Sequence, residues 1–431
     1  MRDVLVLLVV ALLLRGGWLA ATLPTALAGD EIDYHQRAER FAGGWVDKYP
    51  GARPPVIETV YARLYRAFGV DPHVARAANM VFGALLVIPL FALGWQVGGL
   101  GVARGSALLG AVFPDFVFFG TYLWSEPLYM LLSTSALALL VFGARRGRAW
   151  FAAGLLLGVA ALTREVGLLV PFGLAPALLW LVPRPWSRRV LAVAVMLLGF
   201  ACVVGPWSSY ASSKHDGHVW ITTTTWFNAY IGNAPDRDIA EDNYKHLGRT
   251  PGEREHAARV LARRTIRERM PWWPLQKLAE VVPAMLTPNS FGVNRLIDQS
   301  MGREAVFTWS ALDGPVFRYG LAVVTMLATI AVLVLGSAGL VLGRWPRVQI
   351  LFALFVAVHW IGPLITFGLS RFRLAFLPVL MVAAVALVLD RHALWMASGR
   401  RQRIVAVVLA AVVFLVSVWQ VPGVLTDPVW G

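Results

Sequence analysis

Acids and arginines collect at the ends of apolar runs in this chain, and their types suit proton transfer beside a bound phosphate. Asp30 and Glu31 stand together in "AGDEIDYHQRAERFAGG" (28–44), directly after the first long apolar run. Asp115 and Glu126 bracket "DFVFFGTYLWSE", Arg164 and Glu165 sit in "LTREVGLL", and Arg371 and Arg373 open "SRFRLAFLPVL". A carboxylate can take the proton of a hydroxyl nucleophile, and guanidiniums pair with phosphate oxygens. Such groups at a lipid boundary suit transfer of a group from a lipid phosphate carrier. Each also has a plain structural account. A charge at the end of an apolar run marks the water boundary, Glu126 before Pro127 can open a helix, and Arg164 with Glu165 can be a structural pair. Two adjacent acids add nothing to anchoring, so Asp30 and Glu31 stand apart from the rest.

The elements that must position these groups are membrane spans. Hydrophobic residues make up 58% of the 431 and charged ones 15%, more apolar surface than one water-soluble core can bury. Apolar windows long enough to cross a bilayer fall at roughly 4–23, 75–97, 102–120, 126–143, 149–163, 166–183, 190–210, 316–342, 349–368, 374–389 and 404–421. The expectation is an all-α polytopic membrane protein of about eleven spans forming a single domain over 1–431. The run after "MRD" has no small-residue cleavage site, so it reads as a retained span. Cys202 is the single cysteine; it reads as an inert buried thiol in an apolar run.

Lysine and arginine excess orients the spans. With Met1 in the cytoplasm, the inner loops hold 14 arginines, among them Arg2, Arg104, Arg145, Arg184, Arg391 and Arg403, against Asp3 and Asp390. Most of the net charge of +14 is then a topology signal, and nucleic-acid binding falls away. Two long segments lie on the outer face, 24–74 and 211–315. The second contains "GEREHAARVLARRTIRERM" and "PWWPLQKLAEVVPAML", which read as amphipathic helices on the membrane, with Trp272 and Trp273 suited to the headgroup layer. His35, His215 and His218 read as loop histidines, and no metal-ligand spacing is present. A phosphate-binding Walker loop, a nucleophile elbow and a dinucleotide fingerprint are all missing.

The chain resembles the GT-C membrane glycosyltransferases, specifically the protein O-mannosyltransferase and lipid A aminoarabinose transferase group. The pieces that carry the resemblance are "GDEIDYHQRAERFAGG", "RPPVIETVYARLYRAFG", "SEPLYMLL", "LTREVGLLVPFG", "WFNAYIGNAPD" and "SRFRLAFLPVL". It implies a GT-C helical bundle with juxtamembrane helices in two extracytoplasmic loops. It implies an inverting transferase of the plasma (inner) membrane, moving a sugar from a polyprenyl-phosphate donor to a hydroxyl acceptor of the cell envelope. The family's catalytic acid maps onto Asp30, with Glu31 supporting it and Glu126 as a second acid near the acceptor. Arg371 and Arg164 are the first choices for the leaving phosphate, Arg373 and Lys214 the second. Tyr34 holds the pattern's aromatic position, and His35 and Arg53 complete the candidate binding set. No cofactor is implied, and help from a divalent cation stays open. A non-enzymatic carrier of a lipid-linked sugar, and a ligase using a lipid diphosphate, remain as alternatives.

Overall fold

The computed structural model describes residues 2–143, 146–183, 185–215, 217–297 and 304–426, so Arg145 and Arg184 of the charge argument lie outside the described residues. Among the described residues all regular structure is helical. The first helix, α1 (Arg2–Ala21), is followed by α2 (Asp30–Ala42) and α3 (Pro55–Phe68). Next come α4 (Pro72–Leu85), α5 (Val87–Val112), α6 (Pro114–Phe119), α7 (Glu126–Phe142), α8 (Gly147–Ala161), α9 (Val170–Leu181) and α10 (Trp186–Ser212). The long segment after α10 folds as α11 (Thr225–Ile231), α12 (Arg237–Tyr244), α13 (Pro251–Glu268), α14 (Trp273–Leu286) and α15 (Phe291–Ile297). Four long helices complete the bundle, α16 (Pro315–Leu342), α17 (Pro346–Ile365), α18 (Leu377–Ala397) and α19 (Arg400–Trp419), before a short final turn, Val421–Thr426.

The chain is a multi-pass integral membrane protein. Seven helical stretches among the described residues are long and apolar enough to cross a bilayer, and three shorter apolar helices accompany them. The seven are fewer than the expected eleven because some of the windows fall on shorter helices and two share one helical run. The windows 75–97 and 102–120 lie on the two arms of the run Pro72–Val112, which folds back on itself at Gly98 and Gly99, and the second window continues into α6. Gly99 has φ +68, a backbone state costly for any residue with a Cβ. The two arms then touch: a Cβ on Gly94 would lie 2.8 Å from the Ala103 backbone, and one on Gly110 would lie 2.2 Å from Leu90 Cδ1. The second arm stops at Val112 because Phe113 precedes Pro114 and turns extended. Helices α8 and α9 have 15 and 12 residues, about 22 and 18 Å at 1.5 Å per residue, short of an average hydrocarbon core. The turn at Arg164 and a 3₁₀ stretch, Glu165–Leu168, consume the residues that the window at 166–183 assigned to a span.

Close helix contact rests on small residues, as expected where lipid tails compete equally for apolar side chains. Between α8 and α10, Gly154 lies against the Met196 carbonyl and Gly199 against the Phe151 carbonyl. Between α16 and α18, Gly336 and Gly339 lie against the Leu380 and Ala383 carbonyls. Arg15, a charge in the middle of α1, is fully buried without a carboxylate. It donates to the carbonyls of Gly110 at 3.0 Å and Ala111 at 2.9 Å, which the break after α5 leaves without helical partners. Arg15 therefore caps a helix C-terminus inside the bundle, which suits a cation.

The bundle has two chemically different ends. At one, Asp3 pairs with Arg104 at 2.9 Å, and Asp390 lies beside the Gly98 turn. At the other, α1 ends at Ala21 and α18 begins at Leu377. The residues with candidate chemistry gather there, under α2, α3 and the long segment 211–315.

Candidate active site

Helix α2 starts abruptly, and that start sets the site. Gly29 takes φ +56 just before it, so the connection 22–29 that follows α1 turns sharply into a helix at Asp30. Asp30, Glu31 and Asp33 fill the first turn, where carboxylates complement the helix dipole. Consecutive helical residues differ by about 100° in direction, so Asp30 and Glu31 face different surroundings.

Asp30 is bridged by two arginines. Its Oδ1 accepts from Arg53 Nη2 at 2.9 Å and its Oδ2 from Arg371 Nη1 at 2.6 Å. The three side chains remain 28%, 25% and 24% exposed, so the cluster is open to ligands. Burial works to raise the carboxyl's pKa, but the charges of Arg371 and Arg53 prevail and hold it well below the ordinary carboxylate range. Arg53 also pairs with Asp33 at 2.7 Å and stacks over Tyr34, 4.8 Å from the ring centre. Arg371 lies over Trp124 at 4.6 Å and near Phe372 at 5.7 Å; these rings fix its planar head without consuming its charge.

A second acid adjoins this cluster. Glu126, at the start of α7, is nearly buried and forms an ion pair with Arg164. Arg164 donates to Ser125 Oγ at 3.2 Å and lies 5.9 Å from the Phe372 ring, the same ring that borders Arg371. The Tyr34 hydroxyl lies 3.5 Å from Ser125 Oγ. Asp30, Tyr34, Arg53, Glu126, Arg164 and Arg371 thus come together, from five parts of the chain.

Four expected residues lie elsewhere. Glu31 is fully buried; its Oε2 meets Arg295 at 2.8 Å and the Ala28 amide at 3.2 Å, and its Oε1 accepts from the Leu123 amide at 3.0 Å. Arg76 stands 3.9 Å away. A carboxylate so enclosed has no face left for a substrate, which corrects its expected support of catalysis by direct contact. Arg373 is also sealed, donating to the Thr287 and Asn289 carbonyls and facing Asp115 at 3.6 Å. Two residues along a 3₁₀ turn point about 240° apart, so Arg371 and Arg373 cannot share a ligand. His35 pairs through Nδ1 with the Tyr65 hydroxyl at 2.8 Å. Lys214 lies on the exposed turn after α10.

Other residues reached the site without being anticipated. Trp124 and Ser125 precede Glu126 directly, and that adjacency was the available signal. Phe372 lies between the two arginines of its own turn. The segment 211–315 holds the Arg53 loop in place: His215 Nε2 meets the Pro50 carbonyl at 2.7 Å, and the Thr223 amide donates to the Gly51 carbonyl at 2.7 Å. In the same segment Trp273 Nε1 donates to Asn233 Oδ1 at 2.7 Å, while Trp272 stays exposed. Among the described residues no three His, Cys, Asp or Glu side chains gather as a metal site would require.

Residues 52–209, from the Arg53 loop to the end of α10, match the family described as dolichyl-phosphate-mannose-protein mannosyltransferase. Over that stretch, a little more than a third of its length, the chain is similar to this family. The fold extends the likeness to nearly the whole chain. The oligosaccharyltransferase AglB from Archaeoglobus fulgidus, solved with an inhibitory peptide and a dolichol-phosphate, superposes with TM-score 0.56 at 17% identity, covering 96% of this chain and 54% of that one. The apo form of the Archaeoglobus enzyme gives 0.54 at 16%, covering 96% and 55%. ArnT from Cupriavidus metallidurans bound to undecaprenyl phosphate gives 0.44 at 17%, covering 90% and 78%. The chain spans about half the length of the oligosaccharyltransferase it matches, so at this identity the likeness is one of fold, the GT-C bundle. No curated protein sequence matches.

Proposed function

We propose that this protein is an inverting glycosyltransferase of the membrane, moving a sugar from a polyprenyl-phosphate carrier to a hydroxyl acceptor on the extracytoplasmic face. One observation carries the reading: an accessible aspartate at the end of the first span, held between two arginines and flanked by a second acid–arginine pair. In the reaction the acceptor oxygen bonds to the anomeric carbon as the bond from that carbon to the phosphate oxygen breaks. Asp30 takes the acceptor's proton. The phosphate leaves with the electron pair of the broken bond, its charge met by Arg371 and Arg53, with Arg164 beside them.

The ion pairs of the unliganded site gain a meaning on this reading. A carboxylate with a guanidinium on each oxygen is a weak base. A donor phosphate competes for the same arginines and draws them from Asp30, which raises its basicity when a sugar is in place. The base is thereby masked until donor binds. Glu126, less exposed and paired with Arg164, is the acid that orients the acceptor. The concentration of arginines at the opposite end supports a cytoplasmic position for that end and, with it, an outer position for Asp30.

The test is a reconstituted assay with a radiolabelled polyprenyl-phosphate sugar, following release of polyprenyl phosphate. Asp30→Asn is expected to lower turnover by about 10²–10⁴-fold, the usual worth of a positioned base, while the protein stays folded. Turnover near wild type in that variant rejects the assignment. Movement of the labelled lipid across the bilayer without bond cleavage replaces it with the carrier reading.

A further inference from the structure

At the end of the bundle opposite Asp30, a slot of about 540 Å³ opens between α16, α18 and α19. Its walls are thin because small residues line them, with Ala338 from α16 and Ala406 and Ala410 from α19. Helix α18 departs from helical geometry at Asp390 (φ −111, ψ 18), and the residues just past that kink, Arg391, His392 and Trp395, form the slot's mouth. A slot that is apolar along its length and basic at one end matches a molecule with a tail and an anionic head.

The charge at the mouth has no internal counterpart. Arg403 lies over the Trp395 ring at 5.3 Å and donates to the Trp395 carbonyl at 2.8 Å, which adds its charge to that of Arg391. Arg400 and Arg401 follow on the exposed start of α19. Among the described residues, no carboxylate lies within ion-pair distance of Arg391, Arg400, Arg401 or Arg403. The nearest acid in sequence, Asp390, turns instead toward Gly98, where a Cβ would lie 3.5 Å from its Oδ2.

We propose that this slot binds one acyl chain of an anionic glycerophospholipid, with the lipid's phosphate on Arg391 and His392 and Trp395 at the headgroup level. Basic pockets between spans on the arginine-rich side hold such headgroups through added charge attraction, and interfacial tryptophan suits that depth. The sugar-donor lipid does not fit this place. Helix α18 begins at Leu377, just past the turn that carries Arg371, and runs about 21 Å from there to Arg391, so a phosphate seated here is out of reach of the Asp30 carboxylate. The assignment is independent of the transfer reaction.

The experiment is native mass spectrometry of the full chain, delipidated in detergent and then offered phosphatidylglycerol, phosphatidylcholine or undecaprenyl phosphate. Retention of one phosphatidylglycerol at least fivefold above phosphatidylcholine is expected, since one arginine near a charged lipid is worth about that factor. Arg391→Gln should lower phosphatidylglycerol retention about fivefold and leave phosphatidylcholine unchanged. Ala410→Trp should fill the slot and remove the bound lipid. Equal retention of the two phospholipids, or an Arg391→Gln protein that retains phosphatidylglycerol as wild type does, overturns the proposal. So does undecaprenyl phosphate displacing phosphatidylglycerol. If Ala410→Trp does not fold, the Arg391→Gln comparison decides alone.

Discussion

Glu31 makes the sharpest test of the division between chemistry and support at this site. It neighbours the proposed base in sequence, yet it is fully buried and bound to Arg295 at 2.8 Å. Removing one member of a buried pair leaves the other charge uncompensated, at a cost of about 3–5 kcal/mol. In Glu31→Leu the stranded groups are Arg295, Arg76 and the amides of Ala28 and Leu123, so the upper part of that range applies. Arg295→Met should cost somewhat less, because Arg76 still faces the carboxylate. At about 2–4 °C per kcal/mol for a large domain, Glu31→Leu lowers the midpoint of thermal unfolding by on the order of 10 °C. The double variant replaces both charges with apolar side chains, which is often neutral. Its cost should be no greater than that of Glu31→Leu alone, short of the sum of the singles by about 3 kcal/mol or more. The assay is thermal unfolding of the four proteins in one detergent, with transfer measured on each. A double variant that regains stability and transfers sugar establishes the pair as support. Additivity within about 0.5 kcal/mol refutes the coupling argument. A stable double variant as inactive as Asp30→Asn shows that Glu31 does chemistry.

Two further outcomes follow from the same geometry. Arg371→Gln removes one of the two cations from the proposed phosphate seat and should raise donor KM at least tenfold, read from initial rates; an unchanged KM places the phosphate elsewhere. Burial, working against hydrogen bonds from the Trp226 and Phe227 amides, pushes the Glu255 carboxyl up to about 7 from an ordinary value of 4.5. The folded form therefore holds its proton longer than the unfolded chain. The contribution of Glu255 to stability is fully present below pH 4.5 and is lost as pH rises through about 7. The resistance of the wild type to thermal unfolding should fall between pH 5 and 8, and Glu255→Gln should flatten that slope. An identical slope in the variant assigns it to other groups.

Hydrophobic windows located the helices well, because the lipid requirement is a matter of length and polarity. They separated 75–97 from 102–120 but did not reveal that Gly98 and Gly99 alone turn one arm back on the other, since periodicity carries no information on how tightly a Gly-Gly pair can turn. The acids and arginines at span ends were legible as one group, because topology alone places Asp30, Glu126, Arg164 and Arg371 at one end of the bundle. Which of them face a common space was not legible. Glu31 and Arg373 have the right types and adjacency, but local geometry turns each away from its neighbour. Their partners, Arg295 and Asp115, lie far along the chain, and no pattern links residues separated by 264 positions. Arg15 was legible as an interior charge; its role as a cap depended on where α5 happens to break.

The bond between Asp30 and Arg371 joins residues 341 positions apart, and this has a bearing on biosynthesis. A chain inserted from its N-terminus presents the aspartate early and its arginine only after most later spans have entered the bilayer. Until then the carboxylate at 30 has Arg53 alone and the one at 115 is without Arg373, while the one at 31 gains Arg295 earlier. A truncation just before 371 would leave Asp115 without its cation and Asp30 with one arginine of its two. Completion of the proposed reactive centre thus coincides with arrival of about the last seventh of the polypeptide.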